Sequence, residues 1–280
     1  MSSVPTQARL ATRATSFLSL AKAGQMLWRA GNASFGIIFP LLLIVLWEIE
    51  ACFEWVPEQI LPPPLIVLET AGDLLRSGQL ERELGVSFLR LVAGLVVGGM
   101  LGMAFGIWTG ASRRADAYFG PTVRAICLVP SLGWLPFFMI AFGIGETLKI
   151  VLIAKTCFLP MMVNSYNAVR QMPQRYNDVV RALELNRRDS LRFVLVPAAL
   201  PALFTGFRQA LSKGWKALIL VEMLASAAGI GYLMTWGRKA FQLDVVLVTM
   251  IVIGIAGWLL DRGSLALQRR FTSWADEAMQ

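Results

Sequence analysis

Three lysines stand inside stretches that are otherwise apolar: Lys155 in VLIAKTCFLP, and Lys213 and Lys216 in LSKGWKALILVEM. An ammonium group at membrane depth is costly unless it faces a cavity or a partner. Lys213 and Lys216 are three residues apart and share one helix face. Glu222 lies six residues beyond Lys216, nearer the opposite face, and makes a poor partner for it within the helix. Three cations with few local counter-charges attract anions, so they suggest a path for a small oxyanion. Pro130 and Ser131, in CLVPSLGW, belong to the same candidate path. Snorkelling of the lysines to the interface, or pairing with another helix, would explain them equally well.

Other chemistries are excluded by what the chain lacks. It contains no histidine, which removes Ser-His-Asp and Cys-His nucleophile pairs and any histidine metal site. Cys52, Cys127 and Cys157 are far apart with no CxxC spacing, and buried apolar packing is expected of them. No GxxxxGK[ST] stretch occurs, so the chain has no phosphate-binding loop and is not expected to be an enzyme. If ATP is used, another subunit hydrolyses it.

The elements that must position the lysines are membrane spans. Of 280 residues 56% are hydrophobic and only 16% charged, and the mean hydropathy is +0.60, beyond an ordinary soluble domain. The first span contains FGIIFPLLLIVLW and becomes long enough with Ala30 to Ser34 and EIEACF included. The second runs from about Val86 to Thr109, with glycines 94, 98, 99, 102 and 106 at the three- and four-residue spacing that lets helices approach closely. The third, Tyr118 to Gly143, is interrupted by Pro121, Pro130 and Pro136, which fits either a broken helix beside a pathway or a simple kink. The fourth covers Leu148 to Met162 and a little beyond, the fifth about Ala202 to Ala225, and the sixth Val245 to Leu260.

Charge orients these spans. Arg9, Arg13, Lys22 and Arg29 precede the first acid, Glu48, whereas residues 48 to 83 carry eight acids against Arg76 and Arg82. The positive-inside rule puts the N-terminus in the cytoplasm and the acidic segment outside. There LPPPLIVLETAGDLLRSG places Ile66, Leu68, Ala71, Leu74 and Leu75 at helical spacing, as for an amphipathic helix on the outer surface. Arg113 and Arg114 mark a cytoplasmic turn, Arg124 and Arg208 read as anchors near the inner boundary, and Arg262, Arg269 and Arg270 keep the C-terminus inside. The net charge of +8 is therefore topological and implies no nucleic-acid partner. The organisation expected is a basic cytoplasmic segment, residues 1–33, followed by one all-α polytopic bundle of six spans, residues 34–280.

The loop from about 164 to 200 is the polar exception, with Arg170, Arg175, Arg181, Arg187, Arg188 and Arg192 against Asp178, Glu184 and Asp189. It resembles the cytoplasmic coupling segment of permeases from binding-protein-dependent ABC importers, whose pattern is Glu-Ala-Ala, three residues, Gly, nine residues, Ile-x-Leu-Pro. The matching positions are Asp178, Val179 and Val180, then Glu184, then Val194, Val196 and Pro197, and the spacing holds throughout. ILPPP, AFGIGETLKI, PAALPALFTGFRQAL and VEMLASAAGIGYL extend the likeness over about Leu61 to Trp274, and are similar to the branch importing nitrate, taurine and aliphatic sulfonates.

The resemblance implies a type I importer permease fold with core 82–268 and coupling loop 168–200, in a bacterial inner membrane. It implies a homodimeric path for a sulfonate, taurine, nitrate or similar anion. An ATP-binding cassette ATPase would carry ATP and Mg, a periplasmic or lipid-anchored solute-binding protein would deliver cargo, and no cofactor would bind this chain. ATPase coupling would fall to Asp178, Val179, Val180, Leu183, Glu184, Arg187, Arg188 and Pro197. A short surface helix suits that role if Val179, Val180, Leu183 and Leu191 face a groove while the arginines reach acidic residues or lipid phosphates. Pro197 and Pro201 should then stop the lever and launch the fifth span. Glutamate replaces the usual glycine at 184, where a left-handed turn costs about 1–2 kcal/mol; either the turn moves to Asn186 or the segment runs on as one helix. A secondary transporter or channel would also need spans and buried charges, but no coupling loop, and no internal repeat of that kind is found.

Overall fold

The computed structural model describes residues 38–53, 55–172, 178 and 180–277, and the regular structure among them is helical. These residues fall into two compact units divided between Ile66 and Val67. The basic N-terminal segment, the boundary at 33/34 and the beginning of the first expected span lie outside the described residues.

In the first unit, helix α1 (38–53) carries the FPLLLIVLW run, and its apolar side chains are largely exposed, Leu41 to Leu46 each being more than half so. Trp47 donates its indole N–H to the Pro62 carbonyl at 3.1 Å, which ties the proline-rich turn to this helix.

Helix α2 (Pro64–Arg76) begins at a proline, whose fixed φ suits a first helical position. Val67 and Leu74 are buried, whereas Ile66, Leu68 and Leu75 are exposed. Residues seven apart lie two turns along one stripe, so packing selects Val67 and Leu74 and leaves the rest of the apolar surface uncovered. Thr70 fixes the helix by donating to Asp244 at 2.7 Å.

Helix α3 (Gln79–Ala111) packs its glycines on α6 (Glu146–Arg170). A Cβ at Gly98, Gly102 or Gly106 would run into the backbone carbonyls of Ala154, Phe158 and Met162 in turn. The glycine spacing thus serves close backbone approach, as expected, and four-residue steps on α3 match four-residue steps on α6. Gly99 is off this seam, with Met161 at 3.8 Å from the same construction.

The third expected span is broken. Helix α4 (Arg113–Leu128) ends at Val129–Pro130, and a 3₁₀ turn Ser131–Trp134 leads into α5 (Leu135–Phe142), bent by 93° from α4. Pro121 stays inside α4 without ending it. Pro130 forms the break because it has no N–H to continue the ladder.

Helix α7 (Val196–Ala225) continues a short helical turn, Arg187–Asp189, and a π-helical stretch, Ser190–Leu195. The expectation that Pro197 and Pro201 stop a lever is therefore overturned. Pro197 falls within the first two positions of α7, where a missing N–H breaks least, and Pro201 is accommodated inside the helix. The π turn directly ahead of Pro197 is the wider pitch that absorbs the disturbance. Helix α8 (Ile230–Lys239) and helix α9 (Leu243–Glu277, kinked at Thr272) complete the chain.

Among the described residues, α3, Arg192–Ala225 and Leu243–Thr272 are long and apolar enough to cross a membrane, and the bent α4–α5 pair makes a possible fourth. The count of six from sequence is not reached on this measure. Helix α6 is the informative case. Sandwiched between α3 and α7, it buries Leu148, Leu152, Ile153 and Cys157 against protein, so it carries Lys149, Lys155 and Asn164 without the continuous apolar run that a lipid-facing helix requires. Of the cysteines, only Cys157 has the expected buried place; Cys127 is half-buried and Cys52 exposed.

Candidate functional site

Between the α4–α5 break, α6 and α7 lies a cleft of about 300 Å³, lined by Pro130, Ser131, Leu132, Leu152, Thr156, Lys213, Lys216, Ala217, Leu220 and Val221. It brings together four of the five candidate pathway residues. Lys213 and Lys216 project from one face of α7, both exposed, and no ion pair engages either among the described residues. Their opposite faces differ: Gly214, Trp215 and Leu218 are buried. Leucine, proline and valine side chains form most of the other walls, so the cleft offers two free ammonium groups and hydroxyl donors in an apolar frame.

Lys155 is placed elsewhere. Its Nζ donates to the Val129 carbonyl at 2.5 Å and stands 5.5 Å from the centre of the Trp134 ring. It caps the end of α4, where helix carbonyls lack partners and the dipole favours a cation. The neighbouring Thr156 hydrogen-bonds Ser131, Oγ to Oγ, at 2.7 Å.

A second polar centre was missed from sequence. Arg90, on α3, is almost wholly buried and bonds both carboxylate oxygens of Glu146 at 2.6 and 2.7 Å, Glu222 at 2.8 Å and the Ala228 carbonyl at 2.6 Å. Glu222, fully buried on α7, also accepts from Ser87 and from the Gly231 N–H at 3.1 Å. Lys149 adds a bond to Glu146 at 2.7 Å, while Glu83 accepts from the Gly229 N–H at 2.6 Å and Ser87 from that of Ile230 at 2.9 Å. Four helices thus meet on one hydrogen-bonded cluster. Gly229 has φ 107°, and a Cβ there would collide with the Glu222 carboxylate. The signal available was the face Glu83, Ser87, Arg90, spaced four and three, with an arginine inside an apolar span.

The coupling segment has a defined turn. Glu184 takes the left-handed conformation itself, φ 47°, so the turn neither moves to Asn186 nor disappears. The Leu185 N–H reaches the Val180 carbonyl at 3.1 Å and the Glu184 N–H the Arg181 carbonyl at 3.2 Å, the paired bonds that close a helix C-terminus. Asn186 then caps the next helix, its side-chain oxygen accepting from the Asp189 N–H at 2.9 Å and its amide donating to the Asp189 carboxylate at 2.7 Å. Asp178, Leu183, Glu184 and Arg188 are exposed, whereas Val180 and Pro197 are half-buried. Val179 lies outside the described residues, and Arg187 occupies the first turn of the second helix.

Arg124 and Arg208 are both paired. Arg124 bonds Asp116, which also accepts from the Tyr166 hydroxyl at 2.8 Å, and Arg208 makes a two-pronged bond to Asp261 at 2.8 and 2.9 Å.

Residues 86–274 match the family model described as a binding-protein-dependent transport system inner membrane component. The taurine transport system permease protein TauC of Escherichia coli K12 is 34% identical, over 84% of this chain and 88% of its own length. The putative aliphatic sulfonates transport permease protein SsuC of Bacillus subtilis is 31% identical over 85% and 87%, and the bicarbonate transport system permease protein CmpB of Synechococcus elongatus 31% over 84% and 89%. Among solved structures, a chain of the inward-facing MetNI methionine ABC transporter superposes with a TM-score of 0.54 at 20% identity, covering 71% of this chain and 96% of that one. That likeness establishes a shared fold.

Proposed function

The chain belongs to the family of binding-protein-dependent transport system inner membrane components, and on that premise we propose that it forms the path for a small anionic solute in an ATP-driven importer. It is a transporter subunit of the inner membrane, not an enzyme. The observation that carries the cargo class is the cleft in which Lys213 and Lys216 stand without carboxylate partners among the described residues. Aliphatic sulfonates, taurine and bicarbonate, named for the relatives, each carry an anionic group that an ammonium pair can attract, and nitrate would do the same. Positive charge in a cleft with low-dielectric walls raises the local concentration of anions.

In this reading a second copy of the chain completes the path, an ATP-binding cassette ATPase holding ATP and Mg engages the segment around Asp178 to Arg188, and an external solute-binding protein delivers cargo. Both termini are cytoplasmic. The Val180 and Arg181 carbonyls are satisfied within the turn at Glu184, and in this reading a push there is transmitted toward Ser190–Leu195 and α7.

The test is ATP hydrolysis and solute uptake by the complete complex in lipid nanodiscs or vesicles, with taurine, alkanesulfonate, nitrate or bicarbonate and the binding protein present. One of these anions should drive uptake, and Lys213→Gln/Lys216→Gln should reduce it about tenfold or more while the ATPase still copurifies. Uptake unchanged by the double substitution removes the lysine cleft from the path; uptake by the chain without any ATPase would instead support a secondary transporter.

A further inference from the structure

Pro130 and Ser131 reach the lysine cleft only because the chain breaks between α4 and α5, and a 93° bend at such a break needs something to fix it. Helix α4 ends on Val129 in extended conformation, followed by a proline that cannot donate. The terminal carbonyls of α4 therefore depend on donors from outside the helix. Two consecutive side chains of α6 supply the bridging contacts. Lys155 donates to the Val129 carbonyl at 2.5 Å, and Thr156 joins Ser131 at 2.7 Å while also bonding the Leu152 carbonyl at 2.9 Å.

The same corner holds a conflict. Among the described residues the buried indole N–H of Trp134 has no hydrogen-bond partner, although its ring is stacked on Phe138 at 5.7 Å and lies under the Lys155 ammonium. A buried orphan donor disfavours the arrangement that contains it, so α5 is held in place against a local penalty. Lys155 and Thr156 oppose that penalty from a helix that is itself anchored on α3 and α7.

We propose that Lys155 and Thr156 are positioning residues that clamp the Val129–Ser131 break, and that releasing this clamp lets the Ser131–Phe142 segment move and reshape the wall facing Lys213 and Lys216. Lys155 then acts on cargo through the break and not by contact. This rests on the reading of the cleft as the path.

The experiment uses the assembled complex in nanodiscs, with Cys52→Ser, Cys127→Ala and Cys157→Ala as background and Leu132→Cys as reporter beside the break. Labelling by a water-soluble methanethiosulfonate is followed together with uptake. Lys155→Met should speed labelling about tenfold, the scale of losing one charge-assisted hydrogen bond, and should raise the KM for uptake. Lys155→Arg should restore both. Thr156→Val should behave like Lys155→Met, and Thr156→Ser like wild type. Copurification of the ATPase and an unchanged melting temperature establish folding, and a variant that fails either is replaced by Lys155→Gln or Thr156→Ala. Labelling rates equal to wild type in folded Lys155 and Thr156 variants overturn the clamp. If labelling accelerates while Lys213→Gln/Lys216→Gln transports normally, the clamp stands and the cleft is not the path.

Discussion

Arg90 and Glu222 stand 132 positions apart in the chain and meet at 2.8 Å, with side chains 5% and 0% exposed. Neither could be buried alone, since an uncompensated charge in a low-dielectric interior costs more than packing returns. The pair is completed by Ser87, Glu146 and the Gly231 amide, and so joins α3, α6, α7 and the head of α8.

Arg90→Met should destabilise the folded chain by about 3–5 kcal/mol, because it leaves the buried Glu222 carboxyl group without its cationic partner. Arg90→Met/Glu222→Leu should cost less than Arg90→Met alone. Thermal denaturation of the purified complex in detergent measures both, and equal losses in the single and double variants would sink this account of the pair.

The α3 glycines separate by position. Gly98→Ala should destabilise by about 1–3 kcal/mol through overpacking, since its Cβ would strike the Ala154 carbonyl, whereas Gly99→Ala, with its nearest neighbour at 3.8 Å, should be near neutral or slightly stabilising through higher helix propensity. The same melting assay reads the difference. Matching losses at both positions would mean that the α3–α6 seam is not the determinant.

Much of this arrangement was legible in the sequence for a physical reason. Glycine spacing is a local signal, and it marks α3 and its packing face. The lysines of the fifth span and Pro130–Ser131 are separate oddities in the sequence, and the fold gathers them in one cleft. What sequence did not reveal depends on distant pairing. Glu222 has no good partner within its own helix, whereas Arg90, its partner, lies on α3. The broken end of α4, which supplies the carbonyl that Lys155 bonds, is not visible in local spacing. Helix α6, the fourth expected span, is flanked by α3 and α7, so its apolar side chains are covered by protein.

The turn at Glu184 carries the last prediction. Its φ of 47° is a conformation that glycine adopts freely and glutamate does not. Relief of about 1–2 kcal/mol of strain, set against the greater freedom glycine loses on folding, about 0.5–1 kcal/mol, leaves Glu184→Gly neutral to stabilising, by about 0–1.5 kcal/mol. Asparagine tolerates the left-handed region better than glutamate, and a β-branched residue tolerates it least. Coupling should follow that order if the rigid turn transmits motion from the ATPase: binding-protein-stimulated ATP hydrolysis tied to uptake should be retained or improved in Glu184→Gly, retained in Glu184→Asn, and lost in Glu184→Val. Hydrogen exchange at the Leu185 amide, which is bonded to the Val180 carbonyl, supplies the structural readout, slowing in the glycine variant and accelerating in the valine variant. A valine variant with faster exchange but full coupling would show that the turn shapes the loop without carrying the stroke.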